Sequence, residues 1–160
     1  MELFLEKNLV FTYGTLKRDF PNYSIMESIN ATYIAAAKTR HKFPLLQAGK
    51  WNVPFLIHQI NHPDSYHIEG ELFEVDQRGM QVLDEFEGVD RGYYKRLPIE
   101  IYYKDENGKE ILKNVWCYFR YENASNILKD TSSFISIFGK KELQKYTPVH
   151  LRPSDWKDNL

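Results

Sequence analysis

Short stretches in which apolar and polar residues alternate dominate the chain, and they predict more strands than helices. The clearest is 93–103, where Leu97, Ile99 and Ile101 occupy every second position. Residues 111–121 follow a tight polar turn and predict its hairpin partner. The remaining predicted strands are compact apolar runs bounded by turn residues, at 9–13, 31–38, 55–60 and 67–75.

Helical signals are fewer. Residues 21–28 begin with proline, which suits the first turn of a helix, and 140–146 predict a second short helix. Asp76 is a suitable N-cap for a longer helix that runs to about Glu87. Because strands outnumber helices and are joined mostly by turns, we expect an α+β fold: a small mixed or antiparallel β-barrel with a few flanking helices.

The length of the chain indicates how many domains it forms, and its charge indicates which partners it can bind. The 160 residues predict a single domain, 1–160, with a C-terminal tail from about 148 to 160. Basic and acidic residues nearly cancel, 21 against 22, so neither nucleic acid nor a membrane is an expected partner. The one cysteine, Cys117, excludes an internal disulfide, and we expect a cytoplasmic protein.

Glu87 is the candidate acid/base. In the predicted helix Met80, Leu83 and Glu87 share one stripe at spacings of three and four residues. A carboxylate directed toward a core acquires a raised pKa through desolvation, as general acid/base residues often do. The alternative is that Glu87, in a last turn that frays, rotates outward before Gly88.

The apolar run 9–13 stops abruptly at Gly14. A glycine here lets consecutive backbone N–H groups converge into a concave nest for an anion or a developing oxyanion. An ordinary transition from strand to loop is the alternative. The residues that follow, Lys17 and Arg18, are expected to form a solvated edge or to meet a substrate carboxylate.

Other chemistries find little support in the sequence. His58, His62 and His67 share no helical face, because Pro63 interrupts the segment, so no metal site is expected. Cys117, between two aromatic residues of a predicted strand, is expected to be buried rather than nucleophilic. Neither a nucleophilic-serine motif nor a glycine-rich phosphate loop occurs, and no cofactor is expected.

Two motifs together resemble a known family. Tyr-Gly-Thr-Leu at 13–16 and Leu-Asp-Glu-Phe-Glu-Gly at 83–88, followed by Tyr94, are similar to the two signatures of the γ-glutamyl cyclotransferase-like superfamily. Blocks in the same order make its amine-specific branch the nearest match: Phe-Pro-Leu at 43–45, Asn-Val-Pro at 52–54 and Glu-Gly-Glu at 69–71. The resemblance covers about Leu9 to Arg96.

The resemblance implies a barrel with a pocket at one end, and an enzyme that releases 5-oxoproline and a free amine from a small γ-glutamyl substrate without a metal or cofactor. It implies Glu87 as the catalytic acid/base. The substrate-binding residues that it implies are Tyr13, Gly14, Thr15 and Leu16, with Tyr94 orienting Glu87 or the substrate.

Departures from the family pattern concern the leaving group. Asp19-Phe20 replaces a more usual glycine-containing step, and 89–93 resembles the simple γ-glutamyl cyclotransferases equally. The donor is therefore left open among γ-glutamyl-ε-lysine, a γ-glutamyl amino acid and glutathione. A non-catalytic relative that binds a small molecule or a protein is the remaining alternative, and the oligomeric state is left open.

Overall fold

Residues 7–120 and 133–156 are described by the computed structural model of the chain, and a closed five-stranded barrel forms their body. The strands are β1 (Lys7–Thr12), β2 (Thr32–Phe43), β3 (Leu45–Ala48), β4 (Val53–Leu56), β5 (Tyr66–Asp76), β6 (Tyr94–Lys104) and β7 (Glu110–Arg120).

The barrel order is β1-β5-β2-β6-β7, and β1 meets β7 to close it. All neighbours are antiparallel except β1 and β7, which are parallel with Val10 opposite Trp116. The sheet is therefore mixed, and the predicted α+β barrel is confirmed.

The strand predictions are confirmed best where alternation is strict. β6 and β7 form the predicted hairpin, with Tyr94 opposite Arg120 at one end and Lys104 opposite Glu110 at the other. Closed barrels bury one face of each strand, so alternate positions show the pattern. Of this hairpin's predicted residues, Tyr121 lies outside the described part of the chain.

The prediction of a strand at 55–60 is wrong in its bounds, and β3 was not predicted. β3 and β4 form a separate two-stranded sheet in which Gln47 faces Pro54. After Leu56 the chain turns away, and the N–H of Ile57 donates to the carbonyl of Pro44 at 2.9 Å. Such short strands carry too few residues for alternation to mark them.

Among the described residues three α-helices flank the barrel: α1 (Tyr23–Ser28), α2 (Gln77–Phe86) and α3 (Lys140–Leu143). α2 begins as predicted, because the Asp76 side chain accepts a hydrogen bond from the N–H of Gly79 at 2.7 Å. No helix of the described residues is long and apolar enough to cross a membrane.

Apolar side chains fill the barrel and seat α2 against it. Met80 and Leu83 of α2 are 1% and 0% exposed and pack against strand residues such as Phe73. Burying each side chain of this size contributes about 1.5–3 kcal/mol. The interior cluster is made of large residues from every barrel strand, among them Phe11, Phe43, Ile68, Leu72, Ile101, Cys117 and Phe119. Burial of Cys117 is thus confirmed.

The segment from Pro148 was expected to be a tail. To Trp156 most of its residues are exposed, but two of its side chains pack against the body of the protein. A short 3-10 helix, Val149–Leu151, leads into Arg152, which is only 9% exposed. Trp156 packs against a cluster that includes Phe134 and Phe138. Residues 157–160 of the predicted tail lie outside the described part.

Candidate active site

A pocket opens at one end of the barrel, where segments far apart in sequence meet. The loop after β1, β4, the end of α2, the start of β6 and the packed C-terminal segment all contribute to its wall. The structure brings every residue predicted for the site to this pocket: Tyr13, Gly14, Thr15, Leu16, Glu87 and Tyr94.

Glu87 is placed in the pocket wall by the end of α2. Its N–H still donates to the carbonyl of Leu83 at 2.9 Å, so the backbone remains helical through this residue. Gly88 then adopts φ 68°, and a Cβ there would lie 2.5 Å from Cδ2 of Tyr93. Glycine therefore lets the helix stop directly after Glu87, whose side chain is half-buried.

Two tyrosine hydroxyls lie within electrostatic reach of Glu87. Burial is the main cause that raises the pKa of Tyr13, and the neighbouring Tyr94, Cys117 and Glu87 add to it. Burial likewise raises the pKa of Tyr94 far above its usual value, with the Glu87 charge as the second cause. Both phenols stay protonated at physiological pH and remain hydrogen-bond donors.

The loop after β1 offers backbone N–H groups to the pocket. Its carbonyls are used by turns, since Lys17 N–H donates to Gly14 at 3.2 Å and Asn22 N–H donates to Thr15 at 2.9 Å. Within residues 7–120 and 133–156, the N–H groups of Gly14, Thr15 and Leu16 donate to no other backbone carbonyl. Free backbone N–H groups beside a pocket are what an anion-binding nest requires, and residues 14–16 are termed the nest.

Pro54 approaches the backbone at position 14 so closely that only glycine fits there. A Cβ on it would lie 2.7 Å from Cγ of Pro54, closer than real Cβ atoms come to other carbons. The β3–β4 hairpin therefore presses directly on the nest. Hairpin and loop together shape one side of the pocket.

Tyr13 ties the nest to the barrel. Its hydroxyl donates to the carbonyl of Tyr118 at 2.7 Å, and the residue is 7% exposed. Tyr94 is held more loosely, because its hydroxyl lies 3.4 Å from the carbonyl of Pro54. The two tyrosines of the predicted site thus differ: one hydroxyl is committed to a structural bond and the other has only a weak one.

Lys17 does not form the solvated edge that was expected. It is 5% exposed, and its Nζ donates to the carbonyl of Phe138 at 2.5 Å. Arg18 does lie at the surface, where Nε pairs with Glu71 at 3.1 Å. Lys17 therefore connects the nest loop with the C-terminal part of the chain.

The sequence did not identify the far wall of the pocket. Asn22 joins the nest to it, since Nδ2 donates to Thr15 Oγ1 at 2.8 Å and to the Tyr146 hydroxyl at 3.3 Å. Val149, Arg152 and Trp156 continue that wall, with Val53, Tyr93 and Tyr118 elsewhere around the pocket. Asn22 falls within the span that resembles the family, though in none of its motifs, and no local pattern marks a pocket residue in 146–156.

The fold has a clear counterpart among solved structures. An AIG2-like protein of Mus musculus superposes with a TM-score of 0.78 at 27% identity, covering 92% of this chain and 99% of that one. The barrel with a nest loop and a carboxylate at its end thus places the chain in the AIG2-like structural class.

Sequence comparison gives the family itself. The sequence model of the family described as gamma-glutamyl cyclotransferase, AIG2-like, matches residues 10–134, most of the chain. The chain belongs to this family, as the two motifs predicted.

Curated relatives carry related names. An Arabidopsis thaliana protein, provisionally named a gamma-glutamylcyclotransferase, is 46% identical over 98 residues, which are 58% of this chain and 50% of that protein. Gamma-glutamylaminecyclotransferase B of Danio rerio is 37% identical over 114 residues, 69% of this chain and 58% of that protein. The human gamma-glutamylaminecyclotransferase is 38% identical over 91 residues, 54% and 58% of the two chains. The chain thus spans between half and three fifths of these relatives.

Proposed function

We propose that this protein is a γ-glutamylamine cyclotransferase, which cyclises the γ-glutamyl group of γ-glutamyl-ε-lysine-type substrates to 5-oxoproline and releases the free amine. One observation carries the proposal: the Glu87 side chain, the Tyr94 side chain and the loop of Gly14–Leu16 line one pocket. The family match and the names of the Danio rerio and human relatives support the same reaction.

The reaction needs little from the protein beyond position and proton transfer. The substrate's α-amine attacks its own γ-carbonyl carbon, so that a C–N bond forms and closes a five-membered ring. Nucleophile and electrophile share one molecule, and correct orientation of such a pair can supply about 7–11 kcal/mol of the barrier. No metal, cofactor or enzyme nucleophile enters this scheme.

Glu87 is proposed to move the proton. As a carboxylate it accepts a proton from the α-ammonium and frees the amine lone pair for attack. The tetrahedral intermediate then collapses, the bond to the leaving nitrogen breaks, and Glu87 returns the proton to that nitrogen. Both electrons of the broken bond leave with the amine. The ring nitrogen still carries one proton too many, which the Glu87 carboxylate accepts and passes to the released amine. The products are then a neutral lactam and an ammonium, so charge and protons balance.

The nest is proposed to bind the negative charge of the substrate. The N–H groups of Gly14, Thr15 and Leu16 either hold its α-carboxylate or stabilise the oxyanion that develops on the γ-carbonyl oxygen; one well-placed donor contributes about 2.7–4 kcal/mol to such a transition state. The protonated hydroxyl of Tyr94, only weakly bonded to Pro54, is free to turn toward Glu87 or the substrate.

A γ-glutamyl amino acid or glutathione as donor is the second candidate, favoured by the provisional name of the Arabidopsis thaliana relative. The chemistry would be unchanged and only the leaving amine would differ.

We place the activity in the cytoplasm, since the single cysteine, Cys117, is buried and unpaired by any disulfide among the described residues.

The test is 5-oxoproline release from γ-glutamyl-ε-lysine, a γ-glutamyl-α-amino acid and glutathione, with wild type and Glu87→Gln. We expect rapid release from the lysine compound and a loss of about 10²–10⁴-fold in kcat in the variant. Glu85→Gln is the matched control, because Glu85 is an exposed carboxylate on the same helix.

Each other outcome has a defined meaning. Release of 5-oxoproline from another donor would support the same mechanism with a different preferred substrate. Full activity of Glu87→Gln would exclude Glu87 as the acid/base. No release from any of the three donors would favour a non-catalytic binding protein.

A further inference from the structure

Arg152 is a buried cation in the wall of the catalytic pocket. It directly follows the 3-10 helix Val149–Leu151 and is 91% buried, at 9% exposure. It lies beyond residues 10–134, the part of the chain that matches the family. Burying a guanidinium is costly, so its partners must account for its place here.

Its surroundings leave part of the guanidinium unused. Nε donates to the carbonyl of Thr147 at 2.7 Å. Cζ lies 4.3 Å from the ring centroid of Trp156, 5.1 Å from that of Tyr146 and 6.0 Å from that of Trp51. Nη2, by contrast, is buried without a hydrogen-bond partner among the described residues.

No carboxylate of a described residue forms a salt bridge with Arg152. Burial lowers the pKa of the guanidinium; the electrostatic effect of Tyr146, a hydrogen bond with its side chain and the electrostatic effect of Tyr94 oppose this shift. Aromatic rings surround the cation, and none of the salt bridges among residues 7–120 and 133–156 gives its charge an acidic partner. A buried donor of this kind is rare in proteins and points to a ligand.

We propose that the guanidinium of Arg152, which lines the pocket and has a donor to spare, binds a carboxylate of the substrate, and that this carboxylate belongs to the amino-acid leaving group. The inference rests on the proposed function, which it deepens: the preferred donors are γ-glutamyl compounds whose amine carries a carboxylate.

The leaving-group side follows from the arrangement of the pocket. Glu87, Tyr94 and Arg152 line the same pocket, and the charges of Glu87 and Arg152 both act on Tyr94. Glu87 enters the pocket from the end of α2, whereas Arg152 belongs to the wall that residues 146–156 form. The Gly14–Leu16 nest is already available to the glutamyl end of the substrate, so the cation remains for the other end.

The test compares two donors that differ by one carboxylate, γ-glutamyl-ε-lysine and γ-glutamylcadaverine. Arg152→Met removes the charge at similar volume, Arg152→Lys retains it, and Arg78→Met is the control at an exposed arginine. For Arg152→Met we expect KM for the lysine compound to rise roughly 10- to 100-fold, as the loss of a charged hydrogen bond requires. KM for the cadaverine compound should not change, and Arg152→Lys should restore part of the loss.

Alternative outcomes are separable. In one of them Arg152→Met raises KM for both donors, and this effect disappears when a carboxamide replaces the α-carboxylate of the glutamyl group. That result would overturn the leaving-group assignment and place the glutamyl α-carboxylate at Arg152. An unchanged KM, or an equal loss for all donors with a lower unfolding temperature, would overturn the inference. If the proposed function fails, the wild-type protein will not turn over either donor. Calorimetry would then compare the affinities of wild type and Arg152→Met for the two donors, and only the affinity for the lysine compound should fall in the variant.

Discussion

The hydroxyl of Tyr118 donates to Oδ1 of Asp84 at 2.6 Å and thereby links β7 to α2. Arg96 of β6 completes the link, with Nε 2.9 Å from Oδ1 and Nη2 3.0 Å from Oδ2 of the same carboxylate. Asp84 precedes Glu87 by three residues, about one helical turn. Two adjacent strands thus fix the turn of helix that carries the proposed acid/base.

Asp84 is therefore predicted to be a positioning residue. Asp84→Asn removes the negative charge from all three of these contacts and should lower the free energy of unfolding by about 1–3 kcal/mol. Because Glu87 then shifts relative to the substrate, kcat should fall about 10- to 100-fold while KM changes little. Denaturant unfolding and steady-state kinetics measure the two effects. A variant with full stability and full kcat would show that the link has no such role.

Loss of the hydroxyl is predicted to lower stability at one tyrosine of the pocket and activity at the other. Tyr13→Phe leaves the buried carbonyl of Tyr118 without its donor and should cost about 1–3 kcal/mol of unfolding free energy. Tyr94→Phe loses only a 3.4 Å contact, so its stability should change by less than about 1 kcal/mol. Its kcat/KM should nevertheless fall about tenfold through lost contact with Glu87 or substrate. Each variant is the control for the other, and identical profiles would refute the distinction.

Gly14→Ala is predicted to damage activity. The new Cβ meets Pro54 at 2.7 Å, and relief of this clash must move either the nest or the β3–β4 hairpin. Since the N–H groups would no longer point correctly, 5-oxoproline release should fall by at least about 10²-fold. Gly139→Ala is a suitable control, because its Cβ would meet only Glu142 Oε1, at an ordinary 3.5 Å. Wild-type turnover by Gly14→Ala would mean that the nest is not used.

Lys17 predicts a pH dependence of stability. Burial lowers its pKa from 10.5 to about 8 in the folded protein, with Glu71, Glu142 and Glu69 opposing the shift. The charged form is the disfavoured one, so the penalty is complete below pH 8. Between about pH 8 and 10.5 the unfolded chain binds more protons than the folded one, and stability rises with pH.

The test measures the unfolding free energy of wild type and of Lys17→Met, which lacks the titrating amine, and takes the difference at each pH. The difference in unfolding free energy between wild type and Lys17→Met should grow in favour of wild type from about pH 7.5 to 9.5. Loss of the Nζ bond to Phe138 shifts the variant equally at both values and does not alter this slope. Parallel pH profiles would place the Lys17 titration outside this range.

The sequence predicts an element correctly where a local pattern of residues is itself the physical cause of that element. Strict alternation predicted the β6–β7 hairpin, and Asp76 marked the start of the helix that carries Glu87. The pocket placement of Glu87 follows from Gly88, whose left-handed backbone stops the helix at that point. Spacing alone could not choose between the inward and outward directions of this side chain.

The unpredicted parts depend on contacts between distant residues. β3 is four residues long and its packing partners lie outside its own segment, so alternation gives no signal. Burial of Lys17 depends on Phe138, which lies 121 residues further along the chain. Arg152 looks like any charged residue near a chain end, and only the aromatic rings brought around it by the fold reveal its environment.

The two sides of the pocket come from separate stretches of the chain. The residues proposed for proton transfer and charge stabilisation all lie between Tyr13 and Tyr94, whereas the wall proposed to face the leaving group comes mainly from residues 146–156. Reaction and selectivity can therefore diverge independently in evolution. Exchange of the final segment between relatives should retarget the enzyme to a new amine while its barrel, and the cyclisation that it supports, stay the same.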